Sequence, residues 1–397
     1  MTVGNSPLPV LWALLGLCPA KVWFVASDTS GELITPICAL AKKCGVELTR
    51  KETIVGNDPH SPVAVRSALE GAGDADLAEW SGADLAYTAG TKEMVVQTWR
   101  WWKEELEGSE GWYAVDQPDG PELRPADGGR AVPVTPSRAP TIEEVVKLHR
   151  QDLSLERCWR FARNAGVSGA IDDSAKTAML AWLREFLTRT SNDRRTNTTL
   201  ADHLADALVE TDAITPPPMD WDKWGLDAPP AAYGYDPPSK STPKWRPKYT
   251  VRVEMALAAL VSSLLGENSR CEVLAGLHFK GSGGSFDRPY LHVAVQDRLR
   301  FRLLAFFPGI DIEARDPNSF PTEVALRNTF LADQLLGEYA ETAIVTGLSD
   351  DKTAEANRRL PSNVEHRCRI FSLNDFCFAA GQAPSGPLAA WIGGLTT

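Results

Sequence analysis

The sequence lacks several signatures that would assign a function directly. None of its seven cysteines forms a CxxC pair, which argues against a disulfide framework and against a structural zinc site. The loop patterns GxGxxG and GxxxxGKS/T are also absent, so neither a dinucleotide site nor an NTP loop is predicted. We therefore expect free thiols in a reducing cytoplasm and a functional site of another kind.

An excess of basic residues and an apolar run of membrane length are missing as well. The net charge is −11, so the chain as a whole does not attract nucleic acid, although a local basic groove is still allowed. The apolar run Leu8–Cys18 follows no basic region and is too short to span a bilayer. We read it as a buried helix and predict a cytoplasmic protein with no membrane partner.

Residues 1–150 alternate between strand-like and helix-like segments. The run Lys21–Ser27 is apolar and unbroken over residues 22–26, as in a strand that is buried on both faces of a parallel sheet. Val46–Val55 and the short stretch before Thr88 are also strand-like, and helical segments lie between the strands. This order predicts an α/β domain with a doubly wound sheet. Turn signals in Gly111–Val134 predict a hairpin, and Thr141 begins a capping-box helix.

The remaining chain is divided by a proline-rich segment. Residues 151–214 have helical spacing, including a predicted helix at Leu155–Ala165, and residues 215–248 read as an extended linker. Residues 249–397 predict a second α/β domain, with a helix followed by strands. The predicted elements of that domain are the helix Tyr249–Leu265, the strands Val273–Phe279, Tyr290–Val295 and Leu299–Phe307, and a turn at Gln296-Asp297.

The stretch "YTAGTKEM" is the most specific local pattern. It places Gly90, the hydroxyls of Thr88 and Thr91, and the cation of Lys92 between a strand and a helix. Helix N-termini at the carboxyl edge of an α/β sheet bind anions, and these residue types suit a phosphodiester. A tight turn with Thr91 as helix N-cap is the alternative. Asn5 and Ser6 in one loop, and Ser27 and Asp28 in another, are expected at the same edge.

The succession "NSPLPVLWALLGLCPAKVWFVAS", "LAYTAGTKEM", a hairpin and "TIEEVVKLHR" resembles the CARF sensor domain of type III CRISPR ancillary proteins. The resemblance implies a Rossmann-like CARF domain over residues 1–150 that binds a cyclic oligoadenylate across the axis of a homodimer. Ala89 departs from the glycine that this family carries there. The ligand-binding residues implied by the resemblance are Asn5, Ser6, Ser27, Asp28, Thr88, Gly90, Thr91 and Lys92.

The nearest relatives by this resemblance carry a C-terminal PD-(D/E)xK nuclease domain, a restriction-endonuclease-like fold that binds Mg²⁺ or Mn²⁺. Glu254 matches the helix carboxylate of that site as a catalytic residue and metal ligand. Tyr290 stands at the Asp position, and Leu303-Leu304-Ala305 stands at Glu-x-Lys. Asp287, or Asp311 with Glu313 and Arg315, would have to replace the missing groups. The metal site therefore reads as lost, and Glu254 as a solvated helix carboxylate.

Four functions follow from these patterns. The first is a cyclic-oligoadenylate-sensing antiviral effector whose C-terminal domain has lost nuclease chemistry. The second is an active Mg²⁺- or Mn²⁺-dependent nuclease for DNA or RNA that the same ligand switches on. The third is a ring nuclease in which Ser6 or Thr91 positions the ligand for cleavage. The fourth is an unrelated α/β small-molecule binder.

Overall fold

The structure, a computed structural model, describes the chain except at residues 57, 73, 118–119, 162–170, 172, 193–245, 266–270, 282–288, 298, 308–319, 347, 382 and 395–397. The chain forms two compact units. Unit 1 comprises Met1–Gln151 and Leu335–Glu338, and unit 2 comprises Asp152–Gln334 and Tyr339–Thr397. Both units combine helices with sheets, which confirms the α/β class. Among the described residues, no helix has the length and apolar character needed to cross a bilayer.

Unit 1 alternates strands with helices, as predicted. Its strands are β1 (Thr2–Val3), β2 (Lys21–Ala26), β3 (Thr49–Ile54), β4 (Leu85–Ala86), β5 (Gly111–Gln117), β6 (Gly120–Pro125) and β7 (Val132–Pro133). Its helices are α1 (Pro7–Leu17), α2 (Asp28–Gly31), α3 (Ile34–Lys43), α4 (Pro62–Glu70), α5 (Lys92–Glu105) and α6 (Ile142–His149), with a 3₁₀ turn at Asp74–Trp80. Hydrogen bonds join β1-β2-β3 as a parallel sheet and β4-β5-β6-β7 as a second sheet. The single sheet that we predicted is therefore divided in two.

Strand β2 is buried on both faces after its exposed first residue, Lys21, which explains the apolar sequence of residues 22–26. Trp23 and Val25 share a core with residues of α4 and α5, including Val65 and Trp101. Because side chains alternate along a strand, Phe24 faces the opposite side, where it is fully buried. Helix α1 contacts α3, β5 and β6, and most of its side chains are buried. The prediction of a buried helix rather than a membrane segment is thus confirmed.

Unit 2 is built around one six-stranded sheet in the order β13-β12-β11-β10-β9-β8. Its strands are β8 (Leu153–Arg160), β9 (Glu272–Gly281), β10 (Tyr290–Asp297), β11 (Arg300–Phe307), β12 (Glu341–Thr346) and β13 (Cys368–Phe371). Its helices are α7 (Asp173–Asn192), α8 (Arg246–Leu264), α9 (Phe320–Leu336), α10 (Asp350–Arg358), α11 (Leu373–Ala380) and α12 (Gly386–Gly393). Strands β8 to β11 are antiparallel neighbours, whereas β11, β12 and β13 are parallel. Helix α8 packs on β9, β10 and β11.

Two element predictions in this half of the chain are wrong. The helix predicted at Leu155–Ala165 begins in strand β8, which pairs with β9 through two register shifts. The irregular pairing breaks the period-2 pattern, so the sequence looked helical there. Gln296 and Asp297 lie within β10, opposite Phe301 and Arg300, rather than in the turn.

The helix predicted to follow the proline-rich linker at Tyr249 begins three residues earlier, at Arg246. Residues 215–245 of that linker, and the helix predicted within residues 199–211, lie outside the described residues. The predicted domain limits, 1–150, 151–214, 215–248 and 249–397, stay predictions.

His149, in the last turn of α6, makes the stability of unit 1 depend on pH. Its Nε2 is buried without a hydrogen-bond partner among the described residues, and burial lowers the pKa of His149 to about 4. The unfolded state therefore binds more protons between pH 6.5 and pH 4, and stability falls as the pH drops through that window.

We expect His149→Gln to remove up to about 3 kcal/mol of this loss of stability. Calorimetric melts from pH 7 to pH 4 measure the stability that each protein loses. An equal loss in the unchanged protein and in His149→Gln would contradict the prediction. His366→Gln, at an exposed site, is the control.

Candidate functional site

The loops that follow β1, β2 and β4 meet at one edge of unit 1. Strands β1 and β2 are parallel with Val3 opposite Ala26, so their following loops leave from the same edge. A Cβ atom built on Gly4 would lie 2.5 Å from the backbone nitrogen of Gly90. The β1 loop and the turn after β4 are therefore in direct backbone contact. The structure brings together the three loops that carry all eight predicted ligand-binding residues.

The turn from Thr88 to Lys92 is fixed by hydrogen bonds at both ends. The backbone N–H of Ala114 donates to Oγ1 of Thr88 at 2.7 Å. Thr91 caps α5, because its Oγ1 accepts from the N–H of Met94 at 3.2 Å and donates to the carbonyl oxygen of Pro59 at 2.6 Å. Gly90 has φ of +110°, a conformation that favours glycine. The predicted N-cap is confirmed, and hydrogen bonds hold both ends of the turn.

Tyr87 packs immediately before this turn. Its ring lies edge-on against Trp99, with 5.1 Å between the ring centroids, and it also contacts Tyr113. Burial raises the pKa of the Tyr87 phenol above its usual value, and the nearby Tyr113 raises it further. The phenol therefore stays neutral at physiological pH, and it brings no negative charge to the anion-type turn.

Ser27 holds the second loop against β1. Its Oγ accepts from the N–H of Ser30 at 3.2 Å, and the Ser30 hydroxyl donates to the carbonyl oxygen of Val3 at 2.9 Å. Both hydroxyls are buried in this capping box. The contacts give Ser27 a positioning role, whereas the neighbouring side chain of Asp28 is exposed. A direct ligand contact by Ser27 stays a prediction.

The groups available to a ligand are concentrated on Lys92 and the start of α5. The Lys92 side chain is exposed and makes no hydrogen bond or ion pair with any residue that the structure describes. The N–H groups of Lys92 and Glu93 lie in the first helical turn, where they have no intrahelical acceptor. Helix α1 offers fewer donors, because Pro7 and Pro9 lack an N–H. The cation and the helix dipole therefore favour an anion beside the Thr88–Lys92 turn.

Sequence reasoning missed the loop that leads from β3 to α4. The bond from Thr91 to the carbonyl oxygen of Pro59 places this loop beside the turn. Asp58 and His60, on either side of Pro59, are exposed. The signal was present, since "VGNDPHSP" is a polar, turn-forming segment directly after a strand. In a parallel sheet, such a segment is expected at the ligand-binding edge.

In unit 2, the predicted catalytic residue Glu254 lies in a cluster of aromatic and imidazole side chains. Glu254 is fully buried on α8. The hydroxyl of Tyr290 donates to its Oε2, and Nδ1 of His292 lies 2.5 Å from its Oε1. The ring of His278 is 4.6 Å from that of Tyr290, measured between centroids. We call these four residues the Glu254 cluster. The expectation that the Glu254 carboxylate is solvated was wrong, because that side chain is fully buried.

The described residues do not fit the Mg²⁺ or Mn²⁺ site that the resemblance implies. Both oxygens of Glu254 are engaged by Tyr290 and His292, and Tyr290 occupies the position where a second carboxylate was expected. Within the described part of the chain, no three His, Cys, Asp or Glu side chains are grouped so that they could hold a metal ion. Asp287, Asp311 and Glu313 lie outside that part. No metal-dependent step can be derived from this arrangement.

Comparison with solved structures identifies the fold. The chain aligns with protein VC1899 from Vibrio cholerae over 99% of its own length and 97% of that chain, with a TM-score of 0.63 and 12% identity. It aligns with Can2 from Sulfobacillus thermosulfidooxidans over 98% and 95%, with a TM-score of 0.60 and 11% identity. The chain has the fold of these two proteins. No protein-family model matches the sequence, and the comparison with curated proteins gave no significant match.

The Can2 structure was determined in complex with cyclic tetra-adenylate. At these identities the likeness establishes the fold, and with it the α/β architecture that the CARF resemblance predicted.

Gly4→Ala tests the contact that joins the first and third loops. The added methyl would overlap the backbone of Gly90, which has no flexible side chain that could move away. We expect a loss of about 1–3 kcal/mol of stability in unit 1, measured by urea unfolding. Gly393→Ala adds the same methyl where no atom lies within 4 Å, and it serves as the control. Equal unfolding midpoints for the two variants would contradict the close contact.

Thr91→Ala tests the support of the turn separately from its charge. The change removes the cap on α5 and the bond to Pro59, so we expect a loss of about 0.5–2 kcal/mol. Thr91→Ser keeps the hydroxyl and should retain most of the stability. Chemical unfolding of both variants decides between these outcomes, and the idea fails if serine is as destabilising as alanine.

Proposed function

We propose that unit 1 binds a cyclic oligoadenylate and that the protein is a ligand-sensing ancillary effector of a type III CRISPR system. The observation that carries this proposal is the backbone contact between Gly4 and Gly90, which holds the loop after β1 against the turn that carries Lys92. The fold adds support, because Can2, solved with cyclic tetra-adenylate, shares it over nearly the whole chain.

The side chains at this edge of unit 1 suit both the phosphodiester and the nucleoside parts of a cyclic oligoadenylate. Lys92 and the first N–H groups of α5 can bind a phosphodiester, and the half-buried hydroxyls of Ser6 and Thr88 can add hydrogen bonds. The exposed amide of Asn5 can pair with an adenine edge, which presents both a donor and an acceptor. The carboxylate of Asp28 can accept from a ribose hydroxyl or from the adenine amino group.

A homodimer completes the proposed site. A cyclic oligoadenylate with an even number of nucleotides has a two-fold axis, and an isologous dimer presents the same groups twice around such an axis. Each subunit would then supply one Lys92. Two cations on facing edges reduce the cost of holding a polyanion on a chain of net charge −11. This arrangement favours an even-numbered ring.

We propose further that unit 2 does not act through the two-carboxylate metal site of the nucleases it resembles. The engaged oxygens of Glu254 support this view. The ligand would control unit 2 through the geometry of the dimer, and the output would depend on the groups that unit 2 does present. Ring cleavage at Ser6 stays a second candidate, because the Ser6 side chain makes no cap hydrogen bond to α1.

Isothermal titration with cyclic tri-, tetra- and hexa-adenylate tests the proposal. We expect one ring to bind per two chains, and Lys92→Ala to weaken binding about 10- to 100-fold by removing a charge-assisted contact. Lys42→Ala, which removes an exposed lysine from α3, should bind normally. Chromatography of the recovered ligand shows whether it is cut, and Ser6→Ala then tests the second candidate. Failure of every ring to bind would exclude the proposed function.

A further inference from the structure

The segment Leu335–Glu338 belongs to unit 1, although the chain on both sides of it belongs to unit 2. It contains the end of α9, at Leu336, and it lies just before β12, which begins at Glu341. Its first three residues are buried. We call these four residues the 335–338 turn. The chain therefore passes from unit 2 into unit 1 and back again within four residues.

Gly337 is packed between two side chains of unit 1. A Cβ atom built on Gly337 would lie 3.0 Å from Nε2 of His149, at the end of α6, and 3.2 Å from Cδ1 of Leu8, in the first turn of α1. Gly337 has φ of +85°, the left-handed conformation in which a glycine commonly ends a helix. Glycine is therefore required here both by the backbone angle and by the close approach to Leu8 and His149.

The contact with Leu8 connects the 335–338 turn to the candidate sensor site. Leu8 is fully buried and is the second residue of α1, directly after Pro7. Asn5 and Ser6 immediately precede this helix, in the loop to which we assign ring binding. Hydrogen bonds within α1 make its residues move together, and a close-packed interior leaves no void to absorb the movement. A displacement of Ser6 would therefore press Leu8 against Gly337 or withdraw it.

Side-chain hydrogen bonds fix the chain on both sides of the turn within unit 2. The hydroxyl oxygens of Thr329, in α9, and Thr342, in β12, are 2.8 Å apart and buried. The carboxylate of Asp333, two residues before the turn, accepts from the guanidinium of Arg367, with 3.3 Å between Oδ2 and Nη2. Arg367 directly precedes β13. A shift of the 335–338 turn would therefore be passed to α9, β12 and the start of β13.

His149 provides a reason for the turn to have two arrangements. Its Nε2 is buried and has no hydrogen-bond partner among the described residues, which is unfavourable. The same atom lies next to Gly337, so a small shift of the turn would bring a main-chain group within hydrogen-bonding distance. A neutral imidazole nitrogen can donate or accept, depending on the tautomer. Packed elements of this kind change between discrete arrangements rather than deforming continuously.

We propose that the 335–338 turn transmits ring binding in unit 1 to unit 2. It does so by changing from the arrangement described here to one in which Nε2 of His149 is hydrogen-bonded to the main chain of the turn. This inference rests on the ring binding proposed above. The ring favours one arrangement because it contacts Asn5 and Ser6, and Leu8 moves with them. The strength of the coupling equals the ratio of the ring affinities of the two arrangements. The route lies within each chain and acts beside any change in dimer geometry.

The experiment uses the full-length protein, with cyclic tetra-adenylate as the probe. Isothermal titration measures ring binding. Hydrogen exchange followed by mass spectrometry measures the opening of amides in the 335–338 turn and in β12, with and without the ring. We expect the ring to change these exchange rates about fivefold or more. Leu8→Ala and His149→Leu should still bind the ring, but the change in exchange should fall below about twofold, because each variant removes one contact of Gly337.

Two variants serve as matched controls. Leu14 is as fully buried on α1 as Leu8 is, and it is not among the residues nearest to Gly337. Leu14→Ala should therefore keep the full response to the ring. His149→Gln keeps a polar group with a reach similar to that of Nε2, and it should keep a larger response than His149→Leu. A purely structural role of His149 would not distinguish these two substitutions.

Three results would overturn the proposal. They are ring binding that leaves exchange in the turn and in β12 unchanged, a full response in both Leu8→Ala and His149→Leu, and a response that Leu14→Ala loses as completely as Leu8→Ala. Thermal melts establish that the variants fold, and if Leu8→Ala does not, His149→Leu decides. Failure of the ring to bind the unchanged protein would overturn the sensor and, with it, the role of the turn. Ring binding without a change in exchange would overturn the role of the turn alone.

Discussion

The backbone contact between Gly4 and Gly90 is the constraint on which the candidate sensor site depends. A side chain at Gly4 would occupy the space of the opposing main chain. Without that contact, the loop after β1 and the turn after β4 would not be held against each other, and the strands that lead into them are only two residues long. The bonds from Thr88 to β5 and from Thr91 to Pro59 then fix the turn from its other side. The edge is therefore preorganised by main-chain and hydroxyl contacts, and the exposed Lys92 is left for recognition.

Unit 2 is governed by a different constraint, the cost of burying the Glu254 carboxylate. A charge removed from water needs donors of good geometry, and the sheet supplies them from two positions of one strand. Tyr290 and His292 face α8 together because they are two residues apart in β10. The burial of one helix residue thereby orders the rings on the neighbouring strands.

The sequence predicted the framework of both units more accurately than their chemistry. Apolar runs located β2 and α1, because an element buried on all sides has an unbroken apolar sequence. Turn signals located the hairpin strands of unit 1. Strand β8 was missed because its pairing with β9 is irregular. The division of unit 1 into two sheets was missed because it depends on hydrogen bonds between distant residues.

In the candidate sites, too, contacts between residues close in sequence were predicted and contacts between distant residues were not. The Thr88–Lys92 turn could be recognised from the sequence because its residues are contiguous. The capping role of Thr91 could be predicted because an N-cap bonds within its own helix turn. Pro59 joins it through a contact between residues 32 positions apart, which no local pattern encodes. Glu254 was predicted to be solvated because its partners lie 36 and 38 positions away. The spacing of residues along one helix or strand indicates which side chains share a face. It does not indicate which residues of other elements pack against that face, as Tyr290 and His292 pack against Glu254.

The donors on Glu254 also restrict how this chain could change. An aspartate at position 290, which a metal site would need, would replace a hydrogen-bond donor with a second negative charge beside a buried carboxylate. Such a pair without a cation costs several kcal/mol, and the strand that offers Leu303 supplies no further ligand. Each single step toward a metal centre would thus destabilise the fold before any ion could compensate. The hydroxyl of Tyr290 therefore does for Glu254 what a second carboxylate could not, because it donates a hydrogen bond to a buried negative charge.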